Sequence, residues 1–306
     1  MTILYDTPGP RARRMTALVS AVGLVLVLAG GYFLVYRPLA DKGQFTAELW
    51  GPLVDPGNED FHLVWHRIWV GFQATLLAAG YAIGASLVIG AALAILRVQL
   101  RALTRRRFIG VSAPIALVLR GVVLAVNAIT RLCVEVFRGI PVVITIFFVW
   151  VSLPTFGVSF DNSRWYLVIG LAIYNSVVIG EVLRSGMEGL PSGQREAAAA
   201  IGLTPFQTTR LILLPQAFRI MLPALISQLV VVLKDTSLGF IVSYEETLRI
   251  GTQIVQVLDN PIQVYIVIGV IFIAVNYTLS RLARYLQARL ARGRRFTARS
   301  QSPVIP

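Results

Sequence analysis

Residues 196–215 read EAAAAIGLTPFQTTRLILLP. Alanine has the highest helix propensity of any residue, and four follow Glu196 in a row. Ser192, just after Pro191, is placed to cap the helix they build. Gly202 supplies the left-handed turn that ends it. Thr204-Pro205-Phe206-Gln207 then reads as a capping box with proline at the first helical position, so a second helix starts there. Pro215 limits that second helix. The stretch therefore predicts a compact helix–turn–helix, and the chain on both sides of it is strongly apolar.

The whole chain of 306 residues is 56% hydrophobic and 14% charged, with a mean hydropathy of +0.71. Soluble domains are about 45–50% apolar and about 25% charged. The composition excludes an ordinary soluble enzyme and makes a lipid bilayer the solvent. A spanning helix needs about 20 apolar residues. Residues 17–36, 68–96, 139–160 and 260–280 each form such a run without a charge. Residues 165–180 form a shorter one that continues through Glu181 to Leu183. Residues 220–233 lead into Lys234-Asp235 and then into 236–244. Six spans are predicted, in an all-α membrane protein. The first follows Arg11, Arg13 and Arg14 as a signal peptide would, but it exceeds a typical signal core and no small-residue cleavage site follows. It reads as an uncleaved anchor.

The net charge of +13 first suggests nucleic acid. Set on the six spans, it becomes +18 on one side, −4 on the other and −1 at membrane depth. Arg97, Arg101, Arg105, Arg106 and Arg107 follow the second span, and Arg281, Arg284, Arg289, Arg292, Arg294, Arg295 and Arg299 fill the tail. By the positive-inside rule both termini lie in the cytoplasm, and nucleic acid is not an expected partner. Residues 108–130 are apolar but interrupted by Arg120, with arginines on both flanks. They read as a cytoplasmic-side interfacial or re-entrant helix pair.

The single cysteine, Cys133, leaves no internal disulfide and no cysteine cage. His62 and His66 lie four apart without a third ligand, so no metal site is expected. Lys42 and Lys234 are the only lysines and neither follows a glycine, so no phosphate-binding GxxxxGK[ST] loop exists. An ion-driven secondary transporter would show internal repeats and paired intramembrane charges. A membrane enzyme would need convergent His, Asp or Glu at one depth. No clear repeat is present and such charges are few, so an ion-driven transporter is kept as the lesser alternative, and the two histidines do not supply an enzyme's site.

The spacing E-A-A, three residues, G, nine residues, I-x-L-P is the signature loop of ABC-importer permeases, and Glu196, Ala197, Ala198, Gly202, Ile212, Leu214 and Pro215 match it at every position. Phe137-Arg138-Gly139-Ile140-Pro141 resembles the FRGTP segment of polar amino-acid permeases (the histidine, glutamine and glutamate group), with Ile140 in place of threonine. Leu214-Pro215-Gln216-Ala217-Phe218-Arg219 and Leu233-Lys234-Asp235-Thr236-Ser237-Leu238 resemble that group's LPQA-R and LKDTSL segments. These cover residues 63–284. The N-terminal Leu4-Tyr5-Asp6-Thr7-Pro8-Gly9-Pro10, the additional first span and the long external loop resemble glutamate permeases in particular.

The resemblance implies a type I ABC-importer permease fold of about six transmembrane helices in a bacterial cytoplasmic membrane. Residues 1–66 would form the cytoplasmic N-terminus, anchor and extracellular loop, and residues 67–284 the permease core. Residues 187–218 would be its cytoplasmic coupling loop and residues 285–306 a basic cytoplasmic tail. The loop would sit in a groove of an ABC ATPase dimer, with Glu196 making polar contact and Gly202 allowing close approach. ATP and Mg would be bound by that partner, leaving this chain without a cofactor or catalytic centre. Further implied partners are a second permease, identical or paralogous, and an extracellular or periplasmic amino-acid-binding protein. The implied substrate is glutamate, with glutamine or another polar amino acid as the alternative.

Charges at membrane depth are costly and mark function. Fourteen apolar residues before Lys234 span only about 21 Å of helix, short of the roughly 30 Å bilayer core. Lys234 and Asp235 are therefore expected at membrane depth, in a broken helix or a cavity. Asn175, Glu181, Lys234, Asp235, Thr236 and Ser237 supply both charge signs and the amide and hydroxyl groups that a zwitterionic amino acid needs. They are the substrate-path candidates, with a pair that fixes helix packing as the other reading of Lys234-Asp235, and Arg138 is a candidate at the inner mouth or a positive-inside anchor.

Overall fold

The computed structural model describes residues 9–104 and 112–298; Arg105, Arg106, Arg107, Arg299 and the Leu4–Pro8 part of the N-terminal motif lie outside them. Among the described residues the chain is helical, without a strand. Helix α1 (Pro10–Asp41) starts with proline in its first turn and buries none of its residues. Helix α2 (Ala47–Val54) buries Gly51, Pro52 and Leu53. The side chains of Asn260, Gln263 and Trp65 bond to the carbonyls of Leu49, Gln44 and Leu53 at 3.0, 2.6 and 3.0 Å, so α2 and the turn before it are fastened across one end of the bundle.

Helix α3 (Phe61–Thr104) continues for 44 residues, about 66 Å. It packs against α6 (Arg164–Glu188), the most buried of the long apolar helices. The contact depends on missing side chains. A Cβ at Gly90 would stand 2.9 Å from the Ser176 carbonyl oxygen, and one at Gly180 would stand 3.1 Å from the Gly90 carbonyl oxygen. Lipid supplies no hydrophobic drive between helices, so small residues stabilise the crossing by close backbone approach.

The structure corrects the reading of the segment around Arg120. Residues 108–111 lie outside the described residues, but Ala113–Gly139 is one unbroken 27-residue helix, α4, not a re-entrant pair. Arginine is a good helix former. Its charge lowers hydropathy without disturbing the backbone hydrogen bonds. Arg120, Asn127, Arg131, Glu135 and Arg138 fall within about 80° of arc on α4, by 100° per residue. Only Val134 is buried, and α4 packs against α3 and α6. The expected span 139–160 is also shorter than predicted. Ile140 is extended before Pro141, and α5 (Val142–Thr155) has only 14 residues, about 21 Å. Among the described residues six helices are long and apolar enough to cross a bilayer, and α4 is among them in place of α5.

Beyond α6 come α7 (Gly193–Ala200) and α8 (205–220), then α9 (Leu222–Asp235). A 3₁₀ helix, Thr236–Val242, extends α9, and Ser243 at φ 56° reverses the chain into α10 (Thr247–Leu258). Helix α11 (Pro261–Ala298) closes the bundle. Three apolar clusters succeed one another along α3. Leu53, Val64, Ile68, Ile250 and Ile268 lie at the α2 end. Ala78, Ala82, Leu167, Leu171, Val232 and Val242 follow. Ala94, Ile179, Leu183, Met187, Leu213, Ala217 and Leu225 lie at the end that carries α7 and α8. Val232 meets the start of α6 and Leu225 its end, so the two helices run antiparallel.

Candidate functional site: the 187–218 loop and the charges at membrane depth

The predicted helix–turn–helix is present. Gly202 has φ +80°. The Gly202 and Leu203 N–H groups donate to the Ala199 and Ala198 carbonyls, both at 3.0 Å, which is the paired closure of a helix by a left-handed residue. The Gln207 N–H donates to the Thr204 hydroxyl oxygen at 3.3 Å, and the Thr204 N–H donates to the Gln207 side-chain oxygen at 2.9 Å, completing the capping box. Two local expectations are corrected. Ser192 stands at the cap of α7 but is itself helical (φ −59°, ψ −34°), and its hydroxyl makes no capping bond. A side-chain cap needs extended backbone at that position. Pro215 does not end α8 either. The segment Thr208–Leu213 widens into a π-helix, and the chain continues as Leu214–Ile220. The wider turn absorbs the missing proline N–H and relieves its ring from the carbonyl below.

The loop has an anchored side and an open side. Ala198, Thr208, Thr209, Leu213 and Ala217 are buried. Gln194 and Gln216 exchange two side-chain bonds at 2.8 and 2.7 Å, joining α7 to α8. The Gln99 amide donates to the Thr209 hydroxyl at 2.8 Å and to the Pro205 carbonyl at 3.2 Å, tying α8 to α3. On the open side lie Glu196, Ala197, Gly202 and Pro215. Ile201, Phe206 and Leu211 are 75%, 51% and 61% exposed, and Ile212 and Leu214 are half-buried beneath them. Among the described residues no ion pair or side-chain hydrogen bond engages the Glu196 carboxylate.

The six substrate-path candidates do not converge. Asn175 is fully buried; it donates to the Leu171 carbonyl at 2.9 Å and accepts from the Gln228 amide at 2.7 Å. Thr236 is fully buried, with its hydroxyl on the Leu233 carbonyl at 2.6 Å. Glu181 is held by Arg97 and Arg184. Lys234 is exposed, and Asp235 and Ser237 are half-buried at the break where α9 becomes 3₁₀. Glu181 lies six residues past Asn175 on α6, and Lys234 six past Gln228 on antiparallel α9. The two charged groups are thus separated by about 18 Å along the bundle. Arg138 is exposed at the last turn of α4, just before the extended Ile140.

Sequence reasoning missed two groups. The charge count gives Arg97 only a place among the basic residues after the second span and gives Arg184 no role, although Glu181, Arg184 and Glu188 carry the i, i+3 and i, i+4 spacings of helical ion pairs. Glu246 falls within the external side's sum of −4 by its position after the fifth span, yet it is fully buried. It caps α10, accepting from the Leu248 and Arg249 N–H groups at 2.8 and 2.7 Å. Burial pushes its carboxyl up to about 7, against the opposing pull of those two bonds. An S/T-x-x-E pattern would have announced a cap here; Glu-Thr-Leu-Arg carries no such signal. Among the described residues no three His, Cys, Asp or Glu side chains gather as a metal site.

Comparison with known proteins gives the family. The family described as binding-protein-dependent transport system inner membrane component matches residues 109–292. The glutamate transport system permease protein of Corynebacterium glutamicum is 35% identical over 259 residues, 84% of this chain and 85% of that protein. A probable glutamine ABC transporter permease of Bacillus subtilis is 35% identical over 160 residues, 51% of this chain and 72% of its own length. Among solved structures, an amino acid ABC transporter crystallised with histidines aligns with a TM-score of 0.58 at 23% identity, over 73% of this chain and 94% of that one. The inward-facing methionine ABC transporter aligns with a TM-score of 0.53 at 22% identity, over 74% and 98%. At that identity the alignments establish the fold, which is that of ABC-importer permeases. With six helices among the described residues long and apolar enough to cross a membrane, this multi-pass chain belongs to the family of binding-protein-dependent transport system inner membrane components.

Proposed function

We propose that the chain is the transmembrane permease subunit of an ATP-driven amino-acid importer and that it carries glutamate. The observation that supports this most is the loop at one end of the bundle. It is fastened to the core on one side and presents Glu196, Ile201, Phe206 and Leu211 on the other. An apolar surface of this kind on a short rigid helix pair fits a groove on a partner. A cytoplasmic ABC ATPase dimer is the partner the signature spacing implies, and it would hold ATP and Mg. A second permease, identical or paralogous, would complete the pore, and an external binding protein would deliver the substrate. The glutamate reading leans on the Corynebacterium relative, which matches 84% of the chain where the glutamine permease matches 51%. The latter supports glutamine as the second reading.

Within the membrane we place the substrate path along Lys234, Asp235 and Ser237, with Arg138 toward the cytoplasmic mouth. Asn175, Glu181 and Thr236 then stand behind that path as its support. The test is uptake of labelled glutamate, glutamine, aspartate and arginine in a strain lacking the chain, complemented by the wild type or by Lys234→Ala. Glutamate uptake that returns with the wild type and falls with Lys234→Ala, at equal membrane abundance, is expected. Restoration of glutamine uptake alone would overturn the glutamate reading, and unchanged kinetics in Lys234→Ala would remove Lys234 from the path.

A further inference from the structure

Helices α3 and α6 are joined at the loop end by alternating charges. Arg97 and Arg101 lie one turn apart on α3, and Glu181, Arg184 and Glu188 lie on one face of α6. Arg97 bonds Glu181. Arg184 donates Nη2 to Glu181 Oε2 at 2.9 Å and Nη1 to Glu188 Oε2 at 2.7 Å. Glu188 Oε1 accepts from Arg101 Nη1 at 2.6 Å. Each carboxylate thus holds two guanidinium groups, in the order Arg97, Glu181, Arg184, Glu188, Arg101. The side chains of Arg97, Glu181 and Arg184 are only 10%, 15% and 16% exposed. Charges this shielded are held by one another, and removing one strands the rest.

The ladder stands where the 187–218 loop is rooted. Glu188 is the last residue of α6, and Arg195 of α7 donates to the Met187 carbonyl at 2.9 Å. Met187 and Leu190 pack with Leu213 and Ala217 of α8. Gln99, between the two ladder arginines of α3, holds Thr209 and Pro205. The end of α3 is therefore tied to both sides of the loop, through the ladder to its entry and through Gln99 to its second helix.

We propose that this charge ladder makes α3 and α6 a single lever, carrying displacement of the loop into α3. Arg97, Glu181, Arg184, Glu188 and Arg101 are positioning residues in that motion. The proposal rests on the reading of the loop as the ATPase-coupling element.

The test uses the assembled complex, with its ATPase and binding protein, in liposomes, and reads substrate transported per ATP hydrolysed. Arg97→Gln and Glu181→Gln are expected to keep hydrolysing ATP while transport per ATP falls at least about five-fold, the low end of coupling between sites. The swap Arg97→Glu with Glu181→Arg restores the pair across the two helices but sets a second cation beside Arg184, and is expected to recover part of it. Glu196→Ala is the control for the coupling reading. If it uncouples while both ladder variants transport normally per ATP, the ladder proposal alone falls. If Glu196→Ala also transports normally, the coupling reading falls. A second measurement needs no ladder variant. Spin labels at cysteines replacing Ala102 and Ser185, with Cys133→Ser, should keep one separation with and without ATP. A separation that changes on ATP binding would show two helices moving independently and overturn the proposal.

Discussion

Gln228 of α9 donates its side-chain amide to the Asn175 side-chain oxygen at the middle of α6, 2.7 Å away. This bond joins α9, which gives way to a 3₁₀ helix at Thr236, to the most buried of the long apolar helices. Asn175 also turns its own amide onto the Leu171 carbonyl, so both of its polar atoms have partners within the bundle and the residue is fully buried. Interhelical bonds in a membrane contribute about 1 kcal/mol, and a buried partner left alone adds a penalty of about 1–3 kcal/mol.

Asn175→Leu strands the Gln228 amide and is expected to lower the apparent melting temperature of the detergent-purified protein. Asn175→Leu combined with Gln228→Leu removes both partners and should regain much of that loss. Glutamate affinity should be the same in the double variant as in the wild type. An altered affinity would return Asn175 to the substrate path.

The Gly90–Gly180 crossing predicts a sharp contrast between glycines. A Cβ at Gly90 meets the Ser176 carbonyl oxygen at 2.9 Å and Ile179 side-chain atoms at 2.9 and 3.1 Å, whereas one at Gly121 of α4 meets nothing within 4 Å. Gly90→Val forces α3 away from α6 and should abolish assembly into the complex, while Gly121→Ala should be neutral or slightly stabilising. Equal yields of intact complex from both variants would mean that the backbone approach at Gly90 is not needed.

Gly202 separates backbone strain from packing. Its φ is +80°, yet a Cβ there would meet no atom of this chain within 4 Å, so within the chain itself any effect of substitution comes from the left-handed conformation. That conformation costs about 1–2 kcal/mol for an ordinary residue and less for asparagine. Gly202→Val should therefore weaken recovery of the proposed ATPase partner in pull-downs and lower uptake, with Gly202→Asn intermediate. Asparagine as harmful as valine would point to steric exclusion by the partner instead.

The loop around Gly202 was legible because its determinants are local. Alanine propensity, the left-handed glycine and the Thr204–Gln207 box all act within four residues. The broken helix at Asp235 was legible from the length of the apolar run before it. The ladder was not, since Arg97 and Glu181 are 84 residues apart and nothing in either neighbourhood names the other. Helix α4 was misread for a different reason. Hydropathy measures the transfer of Arg120 into lipid, whereas helix continuity depends on backbone bonds that a long side chain leaves intact. The scattering of Asn175, Glu181 and Lys234 follows from the antiparallel packing of α6 on α9, which chemical type alone does not encode.

Glu246 makes stability depend on pH. Its carboxyl titrates at about 7 in the folded protein against an ordinary value of 4.5, because the site excludes water. Between those values the folded state holds the proton and the unfolded state does not, so stability falls as pH rises through that window. A shift of this size corresponds to roughly 3 kcal/mol at most. Glu246→Gln stays uncharged and keeps a side-chain oxygen for the Leu248 or Arg249 N–H, but it offers one acceptor where the carboxylate offers two. It should therefore melt at or slightly below the wild type at pH 5.5, where the wild type is largely protonated, and above it at pH 8. Melting of the purified protein from pH 5 to 8 reads both slopes. Parallel slopes for the two proteins would mean that Glu246 keeps its charge throughout, with the Leu248 and Arg249 bonds outweighing burial.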